Sequence, residues 1–440
     1  MSSPLWAVLP GGIDDPAAPS GGNRYDRELL TRLAATPTTH SDASSASSAS
    51  TARDLVEFPP PPSATSTRSQ ASADSASTAR DLVEFGPPPS ANSARSQAGE
   101  SNRGHARDLV DFLPPPGANS TRSRGGEDRA DASAVRDVHE IAIGGSWPVP
   151  AAPARAALDR ALRDIPDKSD VLIDGLVACG VPELLEPHRH RLRLIVLVHL
   201  PLSDETGLDA AEAARLREKE RATLHLATRV IATSNAAAQR ISDMHDLTDV
   251  AVAVPGVDPA PLAAPSADGG RLLCVAAVTP RKGQDLLVTA LELDLAELSW
   301  SCTFVGALIR PVAHTSANIR FTGPKAGVDL DAAYANADLF VLPSRAETYG
   351  MVVTEALARG LPVLATDVGG VAEALGHAPD GTLPGFLIPP DDPTALAAAL
   401  HRWLTEPALR AELRASAAAR RETLPTWTDT ARHISAALNA

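Results

Sequence analysis

The sequence predicts an α/β protein of two doubly wound parallel-sheet, Rossmann-like domains facing across a cleft, with a long disordered repeat insert. Three observations carry this. Short apolar runs alternate with helical patterns, as in βαβ units whose strands are buried on both faces. The alternation starts afresh after Pro255-Gly256-Val257-Asp258-Pro259, so one pattern becomes two. Between residues 36 and 134 the composition shifts to Ser, Ala, Pro, Arg and Gly, and the apolar periodicity stops.

The first domain takes residues 1–35 and 135–256. Leu5-Trp6-Ala7-Val8-Leu9 reads as a strand and Arg24 to Leu33 as a helix. After the insert, a strand ends near Ile143, a helix covers Ala154 to Leu162, and Val171-Leu172-Ile173 is a strand. Leu192 to Leu200 is the strongest buried strand, followed by a long helix from Ala210 to Leu226 and short strands at Arg229–Ala232 and Val250–Val254. The second domain, 257–424, has strands starting at Arg271, Cys302, Ile319, Leu339, Val363 and Phe386, and closes with helices near Pro393–Leu404 and Ala408–Arg420. Residues 425–440 are set apart as a C-terminal helix free to return to the first domain.

The insert repeats. Ala52-Arg53-Asp54-Leu55-Val56-Glu57-Phe58 recurs from Ala79 and, with one change, from Ala106, so Arg53, Arg80 and Arg107 mark a 27-residue period. Each unit has three large apolar residues, too few to offset ~1–2 kcal/mol of backbone entropy per residue. A disordered segment with extended proline runs follows. The strand after it opens with Val135-Arg136-Asp137-Val138-His139-Glu140, which resembles the repeat. Duplication of that strand's coding segment would make the repeats decoys for its place in the sheet.

Composition narrows the function. Net charge is −14, which argues against nucleic acid or an anionic membrane as the main partner. Three scattered cysteines suit a reducing cytosol, and suggest neither a disulfide framework nor a zinc site. Met1–Pro10 lacks the basic region of a signal peptide, and no run approaches ~20 apolar residues. A cytoplasmic protein without a transmembrane segment is expected, with peripheral membrane contact left open.

The chemistry is concentrated in Ser344-Arg345-Ala346-Glu347-Thr348-Tyr349-Gly350-Met351-Val352-Val353-Thr354-Glu355. Apolar runs at Leu339–Leu342 and Pro362–Thr366 bracket it, giving strand, turn, helix, strand. Glu347 falls just before the helix and Glu355 about two turns into it, at the carboxyl edge of a parallel sheet, where such sheets bind ligands. A helix start near Tyr349 offers unpaired N–H groups to phosphate oxygens. A carboxylate within the helix can accept ribose hydroxyls, and one before it can hold a sugar beyond the phosphates. Two solvated glutamates would have the same spacing.

The stretch resembles the E-x7-E signature of the large retaining glycosyltransferase family GT4, of GT-B fold, and Asp367-Val368-Gly369-Gly370-Val371-Ala372-Glu373 adds to the likeness. The resemblance implies a nucleotide-sugar donor and a hydroxyl acceptor, whether glycan, lipid-linked or small molecule. It implies retention, with the leaving phosphate assisting deprotonation of the acceptor. Glu347, Lys282 and His199 become the catalytic candidates. Arg281, Lys282, Thr348, Tyr349, Gly350, Met351, Val352 and Glu355 become the donor-binding set.

Lys282-Gly283, in Thr279-Pro280-Arg281-Lys282-Gly283, matches the family's diphosphate-binding pair. The family's arginine five residues earlier is Ala277 here, so either Arg281 supplies the second charge or the site has one cation. Gly21 and Gly22, in a turn leading to a helix, resemble the family's glycine loop; Gly11-Gly12 is a rival. His199 matches a strand-end histidine near the donor sugar, though a hydrogen-bonded histidine closing a core strand would read the same. Asp329-Leu330-Asp331 reads as a helix N-cap rather than a metal motif. No cofactor and no metal are expected. A non-catalytic sugar-nucleotide binder and a GT-B sugar-nucleotide epimerase remain as alternatives. The binder draws on Ala277 and on the short segment between Val305 and Ile319, where the family has a helix.

Overall fold

The first half of the chain alternates strands and helices as its apolar runs require. Its order is β1 (Leu5–Pro10), α1 (Gly21–Ala34), β2 (Val138–Ile143), α2 (Ala152–Asp164) and β3 (Asp170–Asp174). Two single-turn helices follow, α3 (Gly175–Ala178) and α4 (Pro182–Leu185), then β4 (Arg193–Val198), α5 (Ala210–Leu226), β5 (Arg229–Ala232), α6 (Asn235–His245) and β6 (Val250–Val252). The second half runs β7 (Arg271–Val275), α7 (Gln284–Leu293), β8 (Ser301–Val305), β9 (Ile319–Phe321), α8 (Gly327–Ala335), β10 (Leu339–Leu342) and α9 (Met351–Leu357). It ends with β11 (Val363–Thr366), α10 (Val371–Leu375), β12 (Gly385–Ile388), α11 (Pro393–Thr405), α12 (Pro407–Arg421) and α13 (Trp427–Asn439). This computed structural model describes residues 4–14, 20–34, 136–293 and 295–440. The repeats and the expected insert, 36–134, lie outside the described residues.

Each half builds one six-stranded sheet, paired in parallel throughout, and both sheets belong to one compact unit. The first has the order β2-β1-β3-β4-β5-β6, and the second β12-β11-β10-β7-β8-β9. The second is the doubly wound order of dinucleotide-binding folds. Strand order reverses between β7 and β10 there, and between β1 and β3 in the first sheet. Loops leaving the carboxyl ends of strands at such a reversal open a crevice.

Strand periodicity decides the cores. Val171 and Ile173 face one side of the first sheet with α2 and α5, whereas Leu172 faces the other with α1 and α13. Leu272 and Cys274 face α7 and α11, while Leu273 faces α8 and α9. α13 leaves the second half and lies on the first, with Trp427 and Ile434 against Tyr25 and Leu29 of α1. A reciprocal Thr426–Asp429 capping box starts it.

β2 is an edge strand tied down at its entry. Buried Arg136 donates to Asp170 Oδ2 at 2.7 Å and to Asn439 at 2.6 Å, while Asp170 Oδ1 accepts from Arg193 at 2.9 Å. Arg136 is the position that the repeats reproduce as Arg53, Arg80 and Arg107.

Several local expectations are corrected. α1 begins at Gly21 rather than Arg24. α8 begins at Gly327, which places Asp329 in the first turn instead of at the N-cap. α6 was missed, although Ser234 caps it by accepting Ala237 N–H at 2.9 Å. Residues 307–317 carry no helix.

Candidate functional site

Lys282 and Glu347 leave neighbouring strands at the reversal of the second sheet. The chain after β7 turns through Pro280–Lys282 to Gly283, whose φ of +66° is left-handed. A Cβ there would lie 1.9 Å from Pro343 O, so only glycine lets this loop lean on the one after β10. The approach brings Lys282 Nζ to 2.6 Å from Glu347 Oε1, and Ser344 Oγ donates to the same oxygen at 2.7 Å. Arg281 stands 3.9 Å from Glu347 Oε2 and donates to Ala346 C=O at 3.2 Å. Burial pushes the Glu347 carboxyl up, but Lys282, Ser344 and Arg281 outweigh it and hold it below the usual range. An ammonium has three donors, so Lys282 keeps two for phosphate oxygens, and Glu347 Oε2 keeps acceptor capacity for a hydroxyl. Ala277 is exposed two residues after the end of β7.

α9 starts without a side-chain cap at Gly350, whose φ is +92°. Met351 and Val352 are its first residues, Tyr349 is buried beneath, and Thr348 C=O accepts from Ser234 of the first half at 2.6 Å. Glu355 is the fifth residue, little more than one turn in rather than two. It is already engaged: Oε1 accepts from Arg24 at 2.5 Å and Oε2 from Tyr334 OH at 2.8 Å. Arg24 also donates to Asp258 at 2.9 Å. Sequence reasoning missed both partners of Glu355, and Asp258 behind Arg24. Arg24 follows Gly21 by one turn on the same helix face, but its acid lies 331 residues away.

Gly21 and Gly22 are the first residues of α1 itself, not a turn before it. A Cβ on Gly21 would meet Met351 Sδ at 3.6 Å, and one on Gly22 would meet the His199 ring at 3.3 Å. The pair therefore brings α1 against both the start of α9 and the histidine that follows β4. Gly11 instead rests on Gly144 at the end of β2, where a Cβ would lie 2.7 Å from Gly144 Cα.

His199 has acidic company that the sequence did not reveal. Its Nε2 is 2.8 Å from Asp26 Oδ1, and Asp174, at the end of β3, completes a group whose oxygens and ring nitrogen lie within 4.8 Å of one another. Burial alone would lower the imidazole's pKa; the Asp26 charge and hydrogen bond, with Asp174 behind, raise it to about 9. Burial, then the Asp26 charge, pushes Asp174 up to about 7.

A further bridge between the halves is Glu373. Its carboxylate accepts the backbone N–H groups of Asn235 at 3.0 Å and Ala236 at 2.8 Å, and Asn235 Nδ2 at 2.8 Å. A residue of α10 thus caps α6 across the cleft.

Comparison with known proteins fits this geometry. Residues 263–420 match the family described as Glycosyl transferases group 1. The motifs from Lys282 to Glu373, within that match, are GT4-like. The chain is 33% identical over 248 residues to D-inositol 3-phosphate glycosyltransferase of Kineococcus radiotolerans, covering 48% of this chain and 57% of that one. It is 33% identical over 167 residues to GDP-mannose-dependent alpha-(1-6)-phosphatidylinositol monomannoside mannosyltransferase of Mycobacterium tuberculosis, covering 30% and 42%. The chain spans about half the length of these curated relatives. Among solved structures, Anabaena Alr3699/HepE in complex with UDP-glucose aligns with a TM-score of 0.54 at 20% identity, over 69% of this chain and 86% of that one. Sucrose-phosphate synthase from Thermosynechococcus elongatus aligns with a TM-score of 0.53 at 21% identity, over 67% and 81%. The fold of this chain is GT-B. No helix among the described residues is long and apolar enough to cross a membrane.

Proposed function

We propose that the protein is a retaining glycosyltransferase that moves a sugar from a nucleotide diphosphate to a hydroxyl acceptor. The observation that carries this is the meeting of Lys282 and Glu347 at 2.6 Å, from adjacent strands at the reversal of the second sheet. In this reading Lys282 and the uncapped start of α9 take the diphosphate. Glu347 holds the sugar, Glu355 the ribose, and α1 closes on the phosphate through Gly21 and Gly22. Positioning two substrates and stabilising charge on the leaving diphosphate is the work such a site must do. Arg281 lies beside the pair, 3.9 Å from Glu347, and is the candidate for a second diphosphate charge in place of Ala277.

The reaction needs no metal in this reading, and EDTA should leave turnover unchanged. The names of the relatives put inositol phosphates and phosphatidylinositol mannosides first among acceptors to try, and GDP-mannose among donors. A thermal-shift panel of UDP-, GDP- and ADP-sugars finds the donor, since a ligand at 100 times its Kd adds ~2.7 kcal/mol. Transfer or hydrolysis of the donor that binds then tests the enzyme. Binding with no turnover on any acceptor favours the non-catalytic binder that exposed Ala277 leaves open.

A further inference from the structure

Resting on the reading of the cleft as a donor site, we propose that Asp26 is the positioning residue for His199 and that Asp174 backs it as a neutral, proton-carrying partner. Three features of the packing support this. Asp26 is 2% exposed and Asp174 6%, so neither carboxyl has bulk water to hold a charge. Asp26 Oδ1 takes the His199 ring N–H, whereas its Oδ2 is buried with no partner among the described residues. Asp174 Oδ1 accepts Leu176 N–H at 2.6 Å, leaving its other oxygen to carry a proton. Two carboxyls this close in a buried site do not both ionise readily, and a proton on Asp174 serves both needs. It removes one charge and supplies a donor for the orphaned oxygen of Asp26.

The consequence falls on His199. With Nε2–H held by Asp26, the ring is fixed between Gly22 on one side and the edge of Tyr25, whose ring centroid is 5.1 Å away. Nδ1 has no partner among the described residues, and is the atom left to meet a substrate oxygen. The titratable groups packed on the ring are Asp26 and Tyr25 from α1 and Asp174 from β3. The Tyr25 hydroxyl is turned away, donating to Ala253 C=O at 2.9 Å. A histidine with one buried carboxylate behind it keeps its tautomer and favours the imidazolium, as in other sites where a third group orients a histidine. His199 then stands in the cleft as a hydrogen-bond donor toward the donor sugar or its phosphate, and does not act as a base. No proton changes hands in this arrangement.

The test is a pH titration of the histidine side chains by ¹⁵N NMR in the full-length protein, with His199 assigned by its loss in His199→Asn. In the wild type, His199 should be an imidazolium at pH 7 and, on titration, should keep its remaining proton on Nε2. A neutral ring at pH 7, or a proton kept on Nδ1, overturns the proposal without any variant. Asp26→Asn should lower the His199 proton affinity at least tenfold. Asp174→Asn should lower it by less than Asp26→Asn does, because Asp174 holds its own proton over part of the titration. Equal midpoints in Asp26→Asn and wild type, or a larger drop in Asp174→Asn, would mean the charge is not on Asp26. Selective broadening of the His199 signals by micromolar Mn²⁺ would replace the proton-sharing group with a metal site, and overturn it too. If a donor is turned over, Asp26→Asn should lower kcat with little change in donor KM. If no donor is turned over, the functional reading fails while the titration still decides this one.

Discussion

Loops leaving β7 and β10 in the second half bring a lysine and a glutamate into a 2.6 Å ion pair. In the first half, helix α1, the end of β3 and the residue after β4 bring two aspartates and a histidine together. The sheets are alike, six parallel strands each, and both sites sit where strand order reverses. Their electrostatics differ in sign of response. Glu347 is held below its ordinary range, so its contribution to stability is present above that range and is lost as pH falls through the lower value. Asp174 and His199 are held above theirs. The stability they contribute is full below the ordinary aspartate range. It is lost as pH rises, first up to about 7 and then up to about 9. One architecture can therefore hold a pair that favours proton release and a cluster that favours proton retention, according to which charges the loops deliver.

The largest test of this contrast is Lys282→Ala. Turnover should fall on the order of 10²–10³, the usual cost of one preorganised charge stabiliser. Stability should also fall by about 2 kcal/mol, because Glu347 would be left buried without its partner. Adding Glu347→Gln should restore the melting temperature but not turnover. A single variant that loses turnover with no melting shift would mean the pair does not form.

Deleting residues 36–134 probes the first half alone. Closure entropy scales as (3/2)RT ln n, so shortening a loop from ~100 to ~6 residues should raise stability by up to about 2.5 kcal/mol. Donor turnover should persist, since the second half's ion pair is untouched. A folded deletion without turnover would place the segment in the catalytic machinery.

Glu355 measures how the halves compete. Glu355→Ala should weaken binding of a nucleoside diphosphate about tenfold, ~1.4 kcal/mol, in calorimetry. Arg24→Ala should strengthen it several-fold by releasing the carboxylate for ribose. Weaker binding in Arg24→Ala would instead make Arg24 a direct donor contact.

The smallest effect is expected at Glu373. Glu373→Ala should cost about 1 kcal/mol, as other helix caps do, read from urea unfolding. Because the cap spans the cleft, donor KM should rise with it. A stability loss with unchanged KM would limit Glu373 to a structural tie.

Most of the second half was legible before folding. Its strand at Leu339–Leu342 needed only a short buried apolar run, and its site residues are contiguous from Ser344 to Glu355, with Lys282 behind a glycine. The first half was legible as strands but not as a site. His199 stood out at the end of its strand, but Asp26 and Asp174 lie in separate segments that no motif links to it. The partners of Glu355 were hidden for the same reason.

The sequence alone determined what depends on near neighbours: the alternation of strands and helices, the restart of the pattern at Pro255, and the motif whose spacing puts two carboxylates beside one helix start. Burial and turn chemistry act over a few residues, so a linear reading captures them. Tertiary structure alone decided which charges meet. Arg24 reaches Glu355, Glu373 caps α6, and Asp26 stands behind His199 because strand order and the packing of α1 on α9 bring distant segments within hydrogen-bond range. Ion pairs and hydrogen bonds fall off over a few ångströms, and nothing in the spacing along the chain records those distances.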